Sequence, residues 1–126
     1  MDPFVIDVPS IPPGLNKVLR MHWATKSNMS KAWLSFMFLF PFEQRMKLHH
    51  WANAKCRMKI TVTFHHSRMF DKDNLYGTAK VIFDAFKHAG YIHDDRPEFL
   101  LQDVHQKKCA HKARHTTIAI EPATGS

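Results

Sequence analysis

Between Cys56 and His66 the chain reads CRMKITVTFHH, with Met58, Ile60, Val62 and Phe64 alternating with Arg57, Lys59, Thr61 and Thr63. Period-two alternation of this length predicts a β-strand with one face in a core and the other polar. That strand delivers the chain to a concentration of acid. The segment from Arg68 to Arg96 contains five of the 11 acidic residues, namely Asp71, Asp73, Asp84, Asp94 and Asp95. Residues 8–70, by contrast, contain Glu43 as their one acid against ten lysines and arginines. The carboxylates are therefore expected where a strand gives way to loop and helix, a common place for active sites.

Asp71 and Asp73 lie two apart, so on extended backbone both side chains would point to one face. Asp73 or Asn74 is placed to cap a helix that starts at Leu75. Leu75, Ala79, Ile82, Phe83 and Phe86 form its apolar stripe, and Gly90 closes it after Lys87 and His88. Gly77, Lys80 and Asp84 follow Asp73 along one helical face. Lys80 thus projects on the side of the acids, with Asp84 one turn further on, where it would pair with Lys80 and orient it. Tyr91, Ile92 and His93 are expected to form a short strand leading to Asp94 and Asp95.

Four carboxylates from the two ends of one helix, with Lys80, are thereby expected to converge. Unpartnered carboxylates repel, and at least one would take up a proton. Compensating lysines and arginines resolve the conflict, and so does a divalent cation. Magnesium takes oxygen ligands, usually only one or two of them carboxylates. Such an ion polarises a phosphoryl group and activates water, and a nearby lysine stabilises the charge that develops. Phosphodiester hydrolysis suits these parts. The plainer account of the same residues is a helix cap, a turn aspartate and a solvated pair.

The string DKDNL at residues 71–75, then Lys80, DAF at 84–86, Gly90 and IHDD at 92–95 resembles the signature of RusA-type Holliday junction resolvases, encoded mainly by bacteria and their phages. The segment PPGLNKVLRMHWATK, residues 12–26, is similar to what such proteins carry after their first strand. The likeness runs in order from about residue 3 to residue 121, and its central motif is the specific part. It implies a homodimeric, magnesium- or manganese-dependent endodeoxyribonuclease that resolves four-way junctions in recombination and repair. By the resemblance Asp71, Asp73 and Asp95 would be metal ligands, Asp94 an adjacent acid in the same site, and Lys80 the catalytic lysine. One departure stands out. The family's best-known form has its lysine four residues after the second motif aspartate, a position held here by Gly77. Lys80 takes the role if three residues are inserted in the first helical turn, and its spacing to Asp84 supports that alignment.

A chain of 126 residues has room for one domain, here spanning residues 1–126. A formal charge of +7 and a pI near 9.7 favour a polyanionic partner, nucleic acid or an anionic membrane surface. Two cysteines, Cys56 and Cys109, make no disulfide framework, and the absence of a secretory signal points to a cytoplasmic protein. Residues 4–8 are expected to be a first strand, stopped by Pro9 and by the turn at Pro12, Pro13 and Gly14. From Asn16 to Ser30 no clean period appears. Lys17, Arg20, His22, Trp23 and Lys26 suit a loop tracking phosphates, or a solvated loop with one anchoring tryptophan. With Arg57, Lys59 and Arg68, the cations Lys17, Arg20 and Lys26 are the expected grip on DNA.

The run AWLSFMFLFPF, residues 32–42, is too short to span a bilayer. It is expected to be a buried helix, interrupted or kinked at Pro41 and resumed from Glu43 through Ala54, with apolar surface left over for a subunit interface. Residues 99–106 and 116–121 each look like strands and are expected to form a hairpin, leaving residues 123–126 as a frayed tail. The resulting order is β-α-β-α-β-β, a small α/β (α+β) fold with a mixed sheet and two main helices. Two rival functions remain. One is a branched-DNA-binding protein of this fold that cuts poorly or not at all. The other is a zinc-dependent nucleic-acid-binding module using Cys109, His111 and His115, with His105 nearby; a basic hairpin turn with scattered surface histidines explains those residues more simply.

Overall fold

The alternating segment becomes β2, Met58–His66, whose residues are strictly buried and half-buried in turn. The computed structural model describes residues 2–14, 17 and 20–123, so expectations that touch residues 15, 16, 18, 19 or 124–126 lie outside the described residues. Three further strands complete one sheet: β1 (Phe4–Val8), β3 (Leu100–Lys108) and β4 (His115–Pro122), in the order β1-β4-β2-β3. β4 runs antiparallel to both β1 and β2, whereas β3 runs parallel to β2. The architecture is mixed α+β, as expected.

The hairpin between β3 and β4 does not form. β2 lies between them, hydrogen-bonded along both edges. The reason is the helix that precedes β3. A helical crossover returns the chain parallel to β2, so β3 takes one edge of that strand. The connection to β4 must then cross roughly 10 Å, two strand spacings, to reach the other edge. It does so over the end of β2, where the Cys109 N–H donates to the His66 carbonyl at 3.0 Å.

Three helices, rather than two, are present among the described residues. They are α1 (Trp23–Phe36), α2 (Phe42–Asn53) and α3 (Lys72–His88). α1 overturns the loop expected up to Ser30. It lacked a visible period because it buries only Trp33, and Trp23 is 76% exposed rather than an anchor. Of the two expectations at Pro41 the interruption holds and the kink does not. α1 ends in a single 3-10 turn at Met37–Leu39, Phe40 is extended, and Pro41 sits at the N-cap of α2. Proline forces the preceding residue out of helical geometry and has no N–H to donate, so it starts a new helix here.

α3 begins three residues earlier than the spacing suggested, because Asp71 itself is the N-cap. Its carboxylate accepts from the Asn74 N–H at 2.8 Å. The predicted stripe of Leu75, Ala79, Ile82, Phe83 and Phe86 is buried against Ile60, Val62, Phe64, Ile118 and Ile120 in one core. Gly90 has φ +77°, and the Gly90 and Tyr91 amides donate back to Lys87 and Phe86 at 3.0 Å each, a Schellman closure. Tyr91–His93 is not a strand. Tyr91 and Ile92 are apolar because they plug the core from a bend, and the Tyr91 hydroxyl donates to the Met37 carbonyl at 3.0 Å. No helix among the described residues is long and apolar enough to cross a membrane.

Candidate functional site

The acids sort to the two ends of α3. At its start, Asp71 caps the helix and Asp73 lies in the first turn, where the free amides favour negative charge. The loop that brings the chain from His66 to Asp71 is pinned by one side chain. The Gln106 amide on β3 accepts from the Phe70 N–H at 2.9 Å and donates to the Phe70 carbonyl at 2.9 Å. Its oxygen also meets His66 Nε2 at 3.0 Å. Across the helix start, a Cβ added at Gly14 would touch the Asn74 side chain at 3.4 Å, so the Pro12–Gly14 turn packs closely there. Lys17 and Arg68 line a cleft beside this turn.

Further along α3, Gly77, Lys80 and Asp84 share one face, as their spacing required. With Lys26 and Lys31 of α1 they line a groove of about 410 Å³, floored by Met29, Val81 and Ala85. Gly77 leaves the groove open where a side chain would otherwise stand. Lys80 lies two turns, roughly 10 Å, along the helix from Asp73. The expected Lys80–Asp84 ion pair is absent from the ion pairs formed among the described residues, so Asp84 does not orient Lys80 by direct contact.

At the other end, Asp94 is saturated. It pairs with Lys87 Nζ at 3.0 Å and with Arg96 Nε at 2.7 Å, and it accepts from the Asp95 N–H at 2.8 Å. The Lys87 hydrogen bond, more than any other contact, holds the Asp94 carboxyl well below the usual carboxylate range. The same bond raises the Lys87 ammonium, with smaller help from the charges of Asp94 and Asp95. Lys87 also stands 3.8 Å from Asp95.

The four carboxylates therefore do not converge within this chain. Asp71 and Lys87 are separated by 16 residues of helix, about 24 Å at the α-helical rise. Even with Lys87 and the acids stretched towards one another along the axis, the gap from Asp71 or Asp73 to Asp95 exceeds what two bonds of roughly 2 Å to one ion can bridge. Among the described residues no group of three or more His, Cys, Asp or Glu is arranged to hold a metal. Asp71 and Asp73 remain together at the helix start, but Asp73 lies within the helix rather than on extended backbone, so the expected sharing of one face does not hold: positions two apart on a helix do not face each other.

The zinc arrangement is not formed either. Cys109 Sγ donates to the Ala110 carbonyl at 3.3 Å, His105 pairs with Asp103 at 2.7 Å, and His115 Nδ1 bonds the Ala113 carbonyl at 2.8 Å. His115 also stacks on His65 with centroids 4.1 Å apart. Burial first, and then the neighbouring His115 and Lys107, lower the His65 imidazole below its ordinary value.

The predicted DNA grip divides in two. Lys17, Arg20, Lys26 and Arg68 are exposed. Arg57 instead donates from Nε to the Pro97 carbonyl at 2.9 Å, a strut under the loop before β3, and Lys59 pairs with Asp103 at 3.9 Å on the sheet's open face. Lys112 and Arg114 belong to the basic turn after β3 that the sequence did not set apart as a DNA contact, and nothing in it marked Gln106. No family model matches this chain, and no curated protein matches it.

Proposed function

We propose that the protein is a RusA-type, metal-dependent endonuclease that acts on branched DNA as a homodimer. The observation that carries this reading is the start of α3. There Asp71 and Asp73 sit beside a cleft lined by Lys17 and Arg68, with Lys80 two turns along the same helix. Asp71 and Asp73 would hold magnesium or manganese, which when bound polarises the phosphoryl group and activates water. Lys80 would stabilise the charge developing on the phosphate or the departing oxygen. Lys17, Arg20, Lys26 and Arg68 would neutralise flanking phosphates.

The chain's own Asp95 lies a helix length away, so in this reading a second copy supplies it. An exposed apolar surface supports the dimer. Phe38 and Phe42 are each 65% exposed and Met46 is 55% exposed, with Arg45 over both phenylalanine rings at 5.3 and 5.7 Å. Scattered exposed apolar residues are ordinary; a contiguous patch rimmed by a cation marks an interface.

The test is nicking of a synthetic four-way junction with magnesium. Wild type is expected to cut, and Asp73→Asn to bind the junction without cutting. Mixing Asp73→Asn with Asp95→Asn subunits is expected to restore part of the activity, because one intact site forms in each mixed dimer. Uncut junctions under every metal condition would remove the enzyme reading. The separation of acids in one subunit favours a second reading, a junction-binding protein that cuts weakly or not at all, and binding without metal-dependent nicking would support it.

A further inference from the structure

Several cations beyond the first helix are already engaged. Lys59 pairs with Asp103, Lys87 and Arg96 pair with Asp94, and Arg57 is bonded to backbone. A group that is not engaged gathers at the end of the sheet where the β3–β4 connection crosses β2. There a cleft of about 720 Å³ is lined by Lys17, His66, Arg68, His111 and Arg114, with Phe70 and the Pro12–Gly14 turn, and by no carboxylate. A smaller recess beside it shares His111 and Arg114 and adds Lys112. Among the described residues, none of Lys17, Arg68, Lys112 and Arg114 joins an ion pair.

We propose that this cleft is a phosphate clamp that seats one backbone phosphate of the bound nucleic acid, with Arg68 and Arg114 as its principal ligands. The proposal rests on the DNA reading above and assigns a site to the connection between β3 and β4. Guanidinium groups match a phosphate's paired oxygens through two parallel N–H donors, and two of them rising from different loops can grip it from both sides.

The wall of the cleft is built rather than incidental. The two bonds from Gln106 to Phe70 fix the orientation of that amide, so its oxygen is the acceptor facing His66. His66 must therefore donate from Nε2, which locks its ring, only 4% exposed, into the cleft wall. The same Gln106 sets the backbone immediately before Asp71. A phosphate in the clamp would thus be positioned by the side chain that also positions the first acid of α3.

The experiment measures binding of a fluorescent DNA duplex by anisotropy in EDTA, so that no hydrolysis intervenes, over a series of salt concentrations. Arg114→Ala is expected to weaken binding about five- to twentyfold and to lower the slope of log K against log salt by about one, the signature of one lost phosphate contact. Lys55→Gln removes an equal charge at the opposite end of the sheet and is expected to change affinity less than twofold. Inorganic pyrophosphate should compete with the duplex on wild type more effectively than on Arg114→Ala. Both altered side chains are exposed, and thermal melts of the variants report whether the fold is kept. Equal weakening by Arg114→Ala and Lys55→Gln, with equal slopes, would mean diffuse charge and no clamp. Wild-type binding by Arg114→Ala, in a variant that melts normally, overturns the proposal as well. Neither result bears on metal-dependent nicking, so a clamp without cutting sinks the nuclease reading alone, and cutting without a clamp sinks only this one.

Discussion

The two ends of α3 carry the same kind of residue and put it to opposite uses. At the start, Asp71 spends one oxygen on a backbone amide, and neither it nor Asp73 forms an ion pair among the described residues. At the far end, Asp94 has a lysine, an arginine and an amide around it. A carboxylate whose charge is already matched has little left to offer a cation, whereas one held only by a helix terminus keeps lone pairs directed outwards. Clustering in sequence therefore says that acids are present, and partners in space say which of them are available.

The largest expected effect separates the two ends by activity. Asp71→Asn should lower junction cutting by a hundredfold or more, while Asp94→Asn should leave most of it. Asparagine caps helices about as well as aspartate, so the first variant removes charge without removing the cap. Asp71→Ala would mix the two, losing about 1 kcal/mol of helix stability as well. Comparable losses from Asp71→Asn and Asp94→Asn, measured in one nicking assay, would erase the distinction between the ends.

A second test sharpens the comparison from the side of the loop. Gln106→Leu strips the Phe70 N–H and carbonyl of their partners in a part-buried position. Leaving such groups unsatisfied costs about 1–3 kcal/mol, which chemical denaturation would register. Because Asp71 follows Phe70 directly, the variant should also cut poorly at temperatures where it is fully folded. Normal cutting by folded Gln106→Leu would mean that the first acid needs no such support.

What the sequence disclosed follows from where packing alone decides. β2 and the stripe of α3 bury one face each, so their periods of 2 and 3.6 survive in the letters, and Gly90 marks a backbone that other residues adopt only with strain. The order of strands was hidden because it depends on which edge of β2 the crossover reaches. α1 was hidden because one buried tryptophan leaves no stripe to detect. The short apolar segment at Tyr91 and Ile92 imitated a strand because a core plug and a strand both require apolar side chains. The candidate site was half legible: the acids and Lys80 stand out as letters, but their distances depend on the length of a helix that had seemed only to connect them. Gln106 left no trace, since an amide that copies a peptide group looks like any surface glutamine.

The smallest effect concerns the closed end and appears through pH. The Asp94 carboxyl is held below its ordinary range, so the unfolded chain binds its proton more readily than the native one. Its contribution to stability is present above the unfolded aspartate value, near 3.9, and is lost as pH falls towards the native one. Lys87 is shifted the other way. Its contribution is complete below the unfolded lysine value, near 10.4, and fades as pH rises through the raised native one. The pair should therefore stabilise the fold across the neutral range and weaken at both extremes. Melting curves of wild type and Asp94→Asn, taken from pH 2 to pH 8, should differ most near neutrality and draw together in acid. A gap for Asp94→Asn that stayed constant through acid would show that its bonds to Lys87 and Arg96 contribute nothing that depends on charge.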